Sequence, residues 1–251
     1  MKARKRSIDL NCDMGEGMST DTLILPFISS ANIACGFHAG TLEIMRETIA
    51  GCIKNNVAIG AHPSWPDREH FGRTEMHTSP QELYNCIQEQ LHIIQNEISK
   101  AGTILHHVKP HGALYNQSAK DAVIASTIAK AVYDFNPSLQ LYGLSGSVSI
   151  TAAKQTGLRT AAEVFADRTY QEDGSLTPRS HPNALIEHSE QALQQAIEMI
   201  LKGTVTSLTG KQLVLEADTI CLHGDGPHAV AFAKTISSRL KQEGIDIRTL
   251  S

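Results

Sequence analysis

The sequence predicts an α/β fold: a single-domain, irregular, TIM-like β/α barrel of seven or eight mostly parallel strands spanning residues 1–251. Three observations predict it. Short apolar strands alternate with helical patterns through most of the chain, the mark of a parallel sheet with covering helices. Six of those strands run directly into clusters of ionisable residues and glycines, and parallel strands bring such clusters to one end of one sheet. In the first strand Asp9, Asn11 and Asp13 alternate with Ile8, Leu10 and Cys12. An inner strand of an open, doubly covered sheet is apolar on both faces. A barrel strand can turn a polar face inward while its apolar face meets the helices.

Each element has its own signal. Residues 7–10 form a strand leading into Asn11-Cys12-Asp13-Met14-Gly15-Glu16, and residues 31–34 form one leading into Cys35-Gly36-Phe37-His38-Ala39-Gly40. Leu42, Met45, Ile49, Cys52 and Ile53 then fall on one helical face over residues 41–55. The strand at 57–61 leads into His62-Pro63-Ser64-Trp65-Pro66-Asp67-Arg68. Ser79-Pro80-Gln81-Glu82 supplies a capping Ser, a Pro at the first helical position and a Glu three residues after the cap. Leu83, Ile87, Leu91, Ile94 and Ile98 mark the buried face of that helix. The strand at 104–108 leads into Lys109-Pro110-His111, and Ser118 with Asp121 repeats the capping signal for a helix reaching about Tyr133. A strand follows at 140–144, and another at 162–165 leads into Ala166-Asp167-Arg168. A helix over 182–202 is closed by Gly203, and residues 204–216 read as a hairpin turning at Thr209-Gly210. The strand at 219–222 leads into His223-Gly224-Asp225-Gly226-Pro227, a helix over 227–243 is closed by Gly244, and a strand at 245–248 ends the pattern. No Ser/Pro/Gly-rich linker divides the chain.

Composition narrows the function classes. A formal charge of −4 offers no basic surface to nucleic acid or an anionic membrane. The five cysteines lack metal-ligand spacing and read as reduced, mostly buried thiols of a cytosolic protein. The basic start at residues 1–6 has no apolar run behind it and reads as a solvated end. No stretch is long and apolar enough to cross a bilayer, so the expected location is the cytoplasm. Of twelve histidines, His38, His62, His107, His111 and His223 lie in or beside the strand-end clusters, which points to chemistry. His77, His92, His106 and His188 read as surface or packing residues.

At these clusters the chain resembles the LamB/YcsF family, to which the A subunit of prokaryotic 5-oxoprolinase belongs. The matching stretches are Leu10 to Glu16, Asn32 to Gly40, Gly60 to Ser64, His107 to Asn116, Glu163 to Arg168 and His223-Gly224-Asp225, in the family's order. The resemblance implies a barrel of the glycoside hydrolase/deacetylase type. It also implies ATP-dependent opening of the lactam 5-oxoproline to L-glutamate, with Mg accompanying the ATP and with partner subunits B and C. Thr41, His70, Thr74, Asn183 and Gly226 depart from the family's usual residues.

Opening an unstrained lactam at neutral pH needs an energy source, and phosphoryl transfer to the amide oxygen would make the ring carbon attackable by water. Such a site needs cations for the oxygen that gains charge, a base for the water and an acid for the leaving nitrogen. Lys109 and Arg168 can serve as the cations, and Asp13, Asp167 or Asp225 as bases. His62, His111 or His223 could relay protons. Arg168 or Arg179 suits a substrate carboxylate, and Asn11, Glu16, His38 and Asp225 complete the expected substrate-binding set. The bland readings are that Asp13 caps a turn, that Lys109 snorkels from a strand end and that Asp167 and Arg168 form an ordinary ion pair. No Walker loop is present, because Gln212 follows Gly210-Lys211 where a Ser or Thr is required. ATP is therefore implied by the resemblance alone. The related deacetylases hold a metal with one Asp and two His, and Asp13, His38 and His62 could supply such a set, although no metal motif demands it. The rival readings are a stand-alone metal-dependent amidase or deacetylase and a non-catalytic substrate-binding subunit.

Overall fold

The computed structural model describes residues 7–186, 188–222 and 229–251. In chain order its elements are β1 (Ser7–Met14), α1 (Asp21–Ile24), a 3-10 turn (Leu25–Phe27), β2 (Ser30–Ala34), α2 (Leu42–Asn55), β3 (Ala58–His62), α3 (Pro80–Lys100) and β4 (His107–Val108). They continue as α4 (Gly112–Ser118), α5 (Ala122–Phe135), β5 (Gln140–Leu144), α6 (Val148–Thr156), β6 (Arg159–Phe165) and α7 (Ser189–Lys202). The chain ends with β7 (Thr204–Thr206), β8 (Gln212–Val214), β9 (Thr219–Leu222), α8 (Ala229–Gln242) and β10 (Asp246–Ile247).

Seven parallel strands close into a barrel in the order β1-β2-β3-β4-β5-β6-β9, and β9 pairs back onto β1 to complete the ring. The expected eighth strand, β10, pairs only with Ser7 and Ile8 at the start of β1 and stays outside the ring. The 204–216 hairpin is the antiparallel pair β7–β8.

The alternation in β1 has the predicted meaning. Ile8, Leu10, Cys12 and Met14 are buried in the hydrophobic core. Asp9 and Asn11 are fully buried as well, and their hydrogen bonds to residues of β2, β5, β6 and β9 place them inside the barrel. Helix α3 buries the five apolar residues its spacing marked, each contributing roughly 1.5–3 kcal/mol of transfer free energy. Its capping box forms as read, with the Ser79 hydroxyl accepting from Glu82 N and Glu82 accepting from Ser79 N. Thr41 caps α2 by accepting from Ile44 N, so this departure from the family leaves a working N-cap.

Two sequence expectations are corrected. Asp121, not Ser118, caps α5, because its carboxylate accepts from Val123 N and Ile124 N while Ser118 ends α4 and bonds the Tyr115 carbonyl. The helix expected over 182–202 begins only at Ser189. The Asn183 and Ala184 carbonyls are held by Thr169 and Arg168, which keeps that stretch in the loop. Helices α4 and α6 lacked a clear period, although Gly157 supplies a left-handed C-cap for α6 at φ +95°. His223, Asp225, Gly226 and the start of the helix expected from Pro227 lie outside the described residues, as does the basic start at 1–6. All five cysteines are free thiols, four of them buried. No helix among the described residues is long and apolar enough to cross a membrane.

Candidate active site

A hydrogen-bonded ladder runs up the barrel interior and ends at the site. At its base Asp9 accepts from the hydroxyls of Ser29, Ser30, Tyr142 and Thr219 at 2.6–3.1 Å. Burial raises its pKa and these four donors oppose the shift. One layer up, Asn11 Nδ2 donates to Glu163 Oε1 and Thr219 Oγ1. Asn32 Nδ2 donates to Asn11 Oδ1 and Asp13 Oδ1, and its own Oδ1 accepts from His107 Nε2. The His107 ring fits because position 60 is glycine: a Cβ there would lie 2.1 Å from His107 Nε2.

Lys109 crowns the ladder. Its ammonium donates to Asp13 Oδ1 at 2.9 Å and pairs with Glu163 Oε1 at 2.8 Å, with Asn11 Oδ1 and Cys221 Sγ at 3.2 Å. Burial alone would lower its pKa, but Asp13, Cys221 and Glu163 raise it well above the usual lysine value. Burial would likewise raise Asp13, yet His62 and Lys109 hold that carboxyl well below the usual carboxylate range. Asp13 is therefore a carboxylate whose Oδ1 is held by Lys109 and Asn32, while its Oδ2 lies 3.3 Å from His62 Nε2.

Histidines from β3 and from the segment after β4 meet this carboxylate. His62 Nδ1 donates to the Lys109 carbonyl at 2.7 Å, and His111 Nε2 donates to the Phe71 carbonyl at 2.9 Å. Their other nitrogens, His62 Nε2 and His111 Nδ1, face each other at 2.9 Å. His38 stacks on His111 with centroids 3.9 Å apart, its Nδ1 2.9 Å from the Ser64 hydroxyl and its Nε2 3.1 Å from Glu16 Oε1. Burial, with His62 nearby, pushes His38 down to about 3 and His111 down to about 2. Two sets of atoms are close enough to share a cation: Asp13, His62 and His111, or Glu16, His38 and His111. Beside Asp13 and His62, where the sequence left His38 a conceivable third ligand, the structure brings His111.

The loop between β3 and α3 fixes His111 from above. Asp67 accepts from His70 N, His70 Nδ1 and Thr74 N, so the departures at His70 and Thr74 are both tied to one carboxylate. Arg68 clamps the loop to the Gly36 and Gly40 carbonyls. Phe71 sits at φ +57°, a strained conformation for a residue with a side chain, and its carbonyl is the one that holds His111. Gly112 is required beneath, since a Cβ there would lie 2.4 Å from Gly72 O.

Asp13, Glu16, His62, Lys109, His111, Arg168 and Arg179 all line one cavity of about 380 Å³ at the C-terminal end of the barrel, within the usual range of roughly 300–1,000 Å³ for small-molecule sites. Arg73 and Lys120 line it too, so cations outnumber carboxylates in its wall. Burial, then neighbouring Arg179, lowers Arg168 to about 10; its Nε and Nη2 donate to the Ala184 and Thr177 carbonyls. His38 and Asn11 are buried behind the wall, and Asp167 follows β6 at the same end without lining the cavity. Asn32, which holds Asp13 Oδ1, and Glu163, which pairs with Lys109, were not singled out from sequence as site residues. The polar alternation of Ser30 and Asn32 in β2 was the available signal.

The LamB/YcsF family model matches residues 8–251. A protein of Tolumonas auensis, named as the A subunit of 5-oxoprolinase, is 52% identical over 248 residues, covering 97% of this chain and 99% of that protein. The crystal structure of a lactam utilization protein from Thermus thermophilus superposes with a TM-score of 0.92 at 40% identity, covering 97% of this chain and all of that one. The barrel alone is shared with a family 4 carbohydrate esterase from Streptomyces lividans, at TM-score 0.53 and 13% identity over 99% of this chain and 95% of that one.

Proposed function

Since the chain belongs to the LamB/YcsF family, we propose that it is the A subunit of an ATP-dependent 5-oxoprolinase, which opens 5-oxo-L-proline to L-glutamate in the cytoplasm together with partner subunits B and C. The observation that carries this reading is the near full-length similarity to a protein of that name. The cavity supports it, because it brings a carboxylate, two histidines and a cationic wall around one space.

The substrate carboxylate is held by Arg168 and Arg179, which places the ring amide toward Asp13 and the histidines. Phosphorylation of the amide oxygen by ATP, with its Mg, makes the ring carbon attackable. Water is oriented by Asp13 Oδ2, and His62 or His111 takes its proton as the new C–O bond forms. The C–N bond breaks as the nitrogen takes a proton from the Glu16–His38 pair, which gives γ-glutamyl phosphate, and a second water hydrolyses that acyl phosphate to L-glutamate and phosphate. Lys109 acts at one remove: its ammonium keeps Asp13 ionised, and its buried contacts to Asp13, Glu163 and Asn11 make it a positioning residue. The lack of a Walker loop in this chain favours ATP handling shared with the partners.

The test is glutamate formation from 5-oxoproline by this chain alone and with the B and C subunits, with and without ATP. Turnover only in the full, ATP-supplied mixture is the expected result. Glutamate made by the isolated chain at the rate of the complex would refute the partner requirement.

A further inference from the structure

At the floor of the cavity the described residues turn several lone pairs toward one another and supply no hydrogen between them. His62 Nδ1 and His111 Nε2 both donate to main-chain carbonyls, of Lys109 and Phe71. A carbonyl only accepts, so each ring, when it carries a single N–H, has its tautomer fixed. His62 Nε2 and His111 Nδ1 then present lone pairs to each other at 2.9 Å. Asp13 Oδ2 lies 3.3 Å from the first, and Glu16 Oε1 lies 3.5 Å from the second. Two facing lone pairs repel unless a cation, either a proton or a metal ion, lies between them.

We propose that a divalent transition-metal ion of the zinc class binds this chain through Asp13 Oδ2, His62 Nε2 and His111 Nδ1. Two imidazoles and one carboxylate suit zinc, cobalt or iron, whereas magnesium and calcium seek oxygen ligands. Donation of the remote ring N–H to a carbonyl is the usual outer support of a metal-bound histidine, and both rings have it. Asp13 has the same support, because Lys109 and Asn32 hold Oδ1 and leave Oδ2 toward the histidines. The second set is the looser one. Ser64 donates its hydroxyl hydrogen to the Trp65 carbonyl, so His38 Nδ1–H donates to Ser64. His38 Nε2 then faces Glu16 Oε1 at 3.1 Å, where one shared proton satisfies the pair. His111 Nδ1 stands 3.5 Å from Glu16 but 2.9 Å from His62. Three protein ligands lining an open cavity leave coordination positions for a small molecule, the arrangement of catalytic rather than structural sites. A bound ion there supplies Lewis-acid polarisation. The inference rests on the lone-pair geometry and is an alternative to the proton-accepting role given to these two rings above, since a nitrogen bound to an ion cannot also take a proton.

The full chain, stripped with a chelator, is titrated with Zn²⁺ by calorimetry and with Co²⁺ by visible absorption. One ion per chain is expected, with Co²⁺ giving the intense d–d bands of a four- or five-coordinate site. His62→Gln and His111→Gln should each weaken Zn²⁺ binding by about 100-fold, the upper end of what even an outer-support mutation does, whereas His38→Gln should change it little. Thermal melts of the metal-free proteins show whether each variant is folded. If a ligand variant does not fold, the wild-type Co²⁺ spectrum decides. Bands saturating at one equivalent uphold the site, and the weak absorption of the hexa-aquo ion overturns it. No saturable binding at micromolar free Zn²⁺ would mean that the two histidines share a proton instead. Binding lost in His38→Gln but kept in His62→Gln would overturn this ligand set.

Discussion

Lys109 and Asp13 both line the cavity but differ in what their removal should do, because the Lys109 side chain is almost wholly enclosed by its partners while Asp13 is one-fifth exposed. Asp13→Asn keeps the shape and removes the charge, while Lys109 retains Glu163 at 2.8 Å. The complex carrying Asp13→Asn should lose at least ~100-fold in kcat, the lower bound for a positioned acid–base group, yet melt cooperatively. Near-normal turnover would reduce Asp13 to a turn cap. Lys109→Met instead leaves Glu163, which is fully buried, without its cation, and removing one partner of a buried pair costs about 3–5 kcal/mol. Urea denaturation should show that loss; an unchanged midpoint would contradict the positioning role. Asp13, His62 and His111 were legible as candidates because each lies at or just past the end of a strand, where parallel topology gathers chemistry. Lys109 was legible as a site residue but not in its role, since Glu163 and Asn11, its partners inside the barrel, lie 54 and 98 residues away in sequence.

The elements themselves depend on a few local choices. Gly60 is a packing requirement: Gly60→Ala drives a Cβ into the His107 ring and should break the His107–Asn32 hydrogen bond. Such overpacking costs roughly 1–3 kcal/mol, and a crystal structure of the variant should show His107 displaced. Ser79→Ala removes the hydroxyl of a complete capping box and should lower stability by ~1 kcal/mol, readable as a shift in urea midpoint without a change in m-value. Helix α3 was readable because its caps and period agree. Helix α7 was misplaced at its start because the competing bonds, from Arg168 and Thr169 to the 183–184 carbonyls, are tertiary.

For the whole molecule, buried neutral histidines set the acid limit. Burial and the neighbouring His106 hold His107 well below its usual 6.5, so the folded protein leaves it neutral while the unfolded chain protonates it. Above about pH 6.5 the two states bind the same number of protons at this site. As pH falls below that value the unfolded state is favoured, by ~1.4 kcal/mol per pH unit for one histidine, until the folded pKa is reached. The urea midpoint should therefore fall between about pH 6.5 and 5, and His107→Asn should flatten that slope by close to one proton's worth. An equal slope in the variant would place the proton uptake elsewhere.

The order of strands and helices, the half-polar first strand and the strand-end clusters were fixed by local pattern, since hydrophobic period and capping act over a few residues. They determined a parallel barrel with one chemical end. Barrel closure decided the rest. The pairing of β9 with β1 encloses Asp9, Asn11, Asn32, His107, Lys109 and Glu163 in one hydrogen-bonded column. Asp13 is held ionised by residues distant in sequence, and a carbonyl from the 67–73 loop selects the tautomer of His111. Hydrogen-bond direction and burial arise only when residues far apart in sequence meet, so charge state and tautomer belong to the tertiary structure.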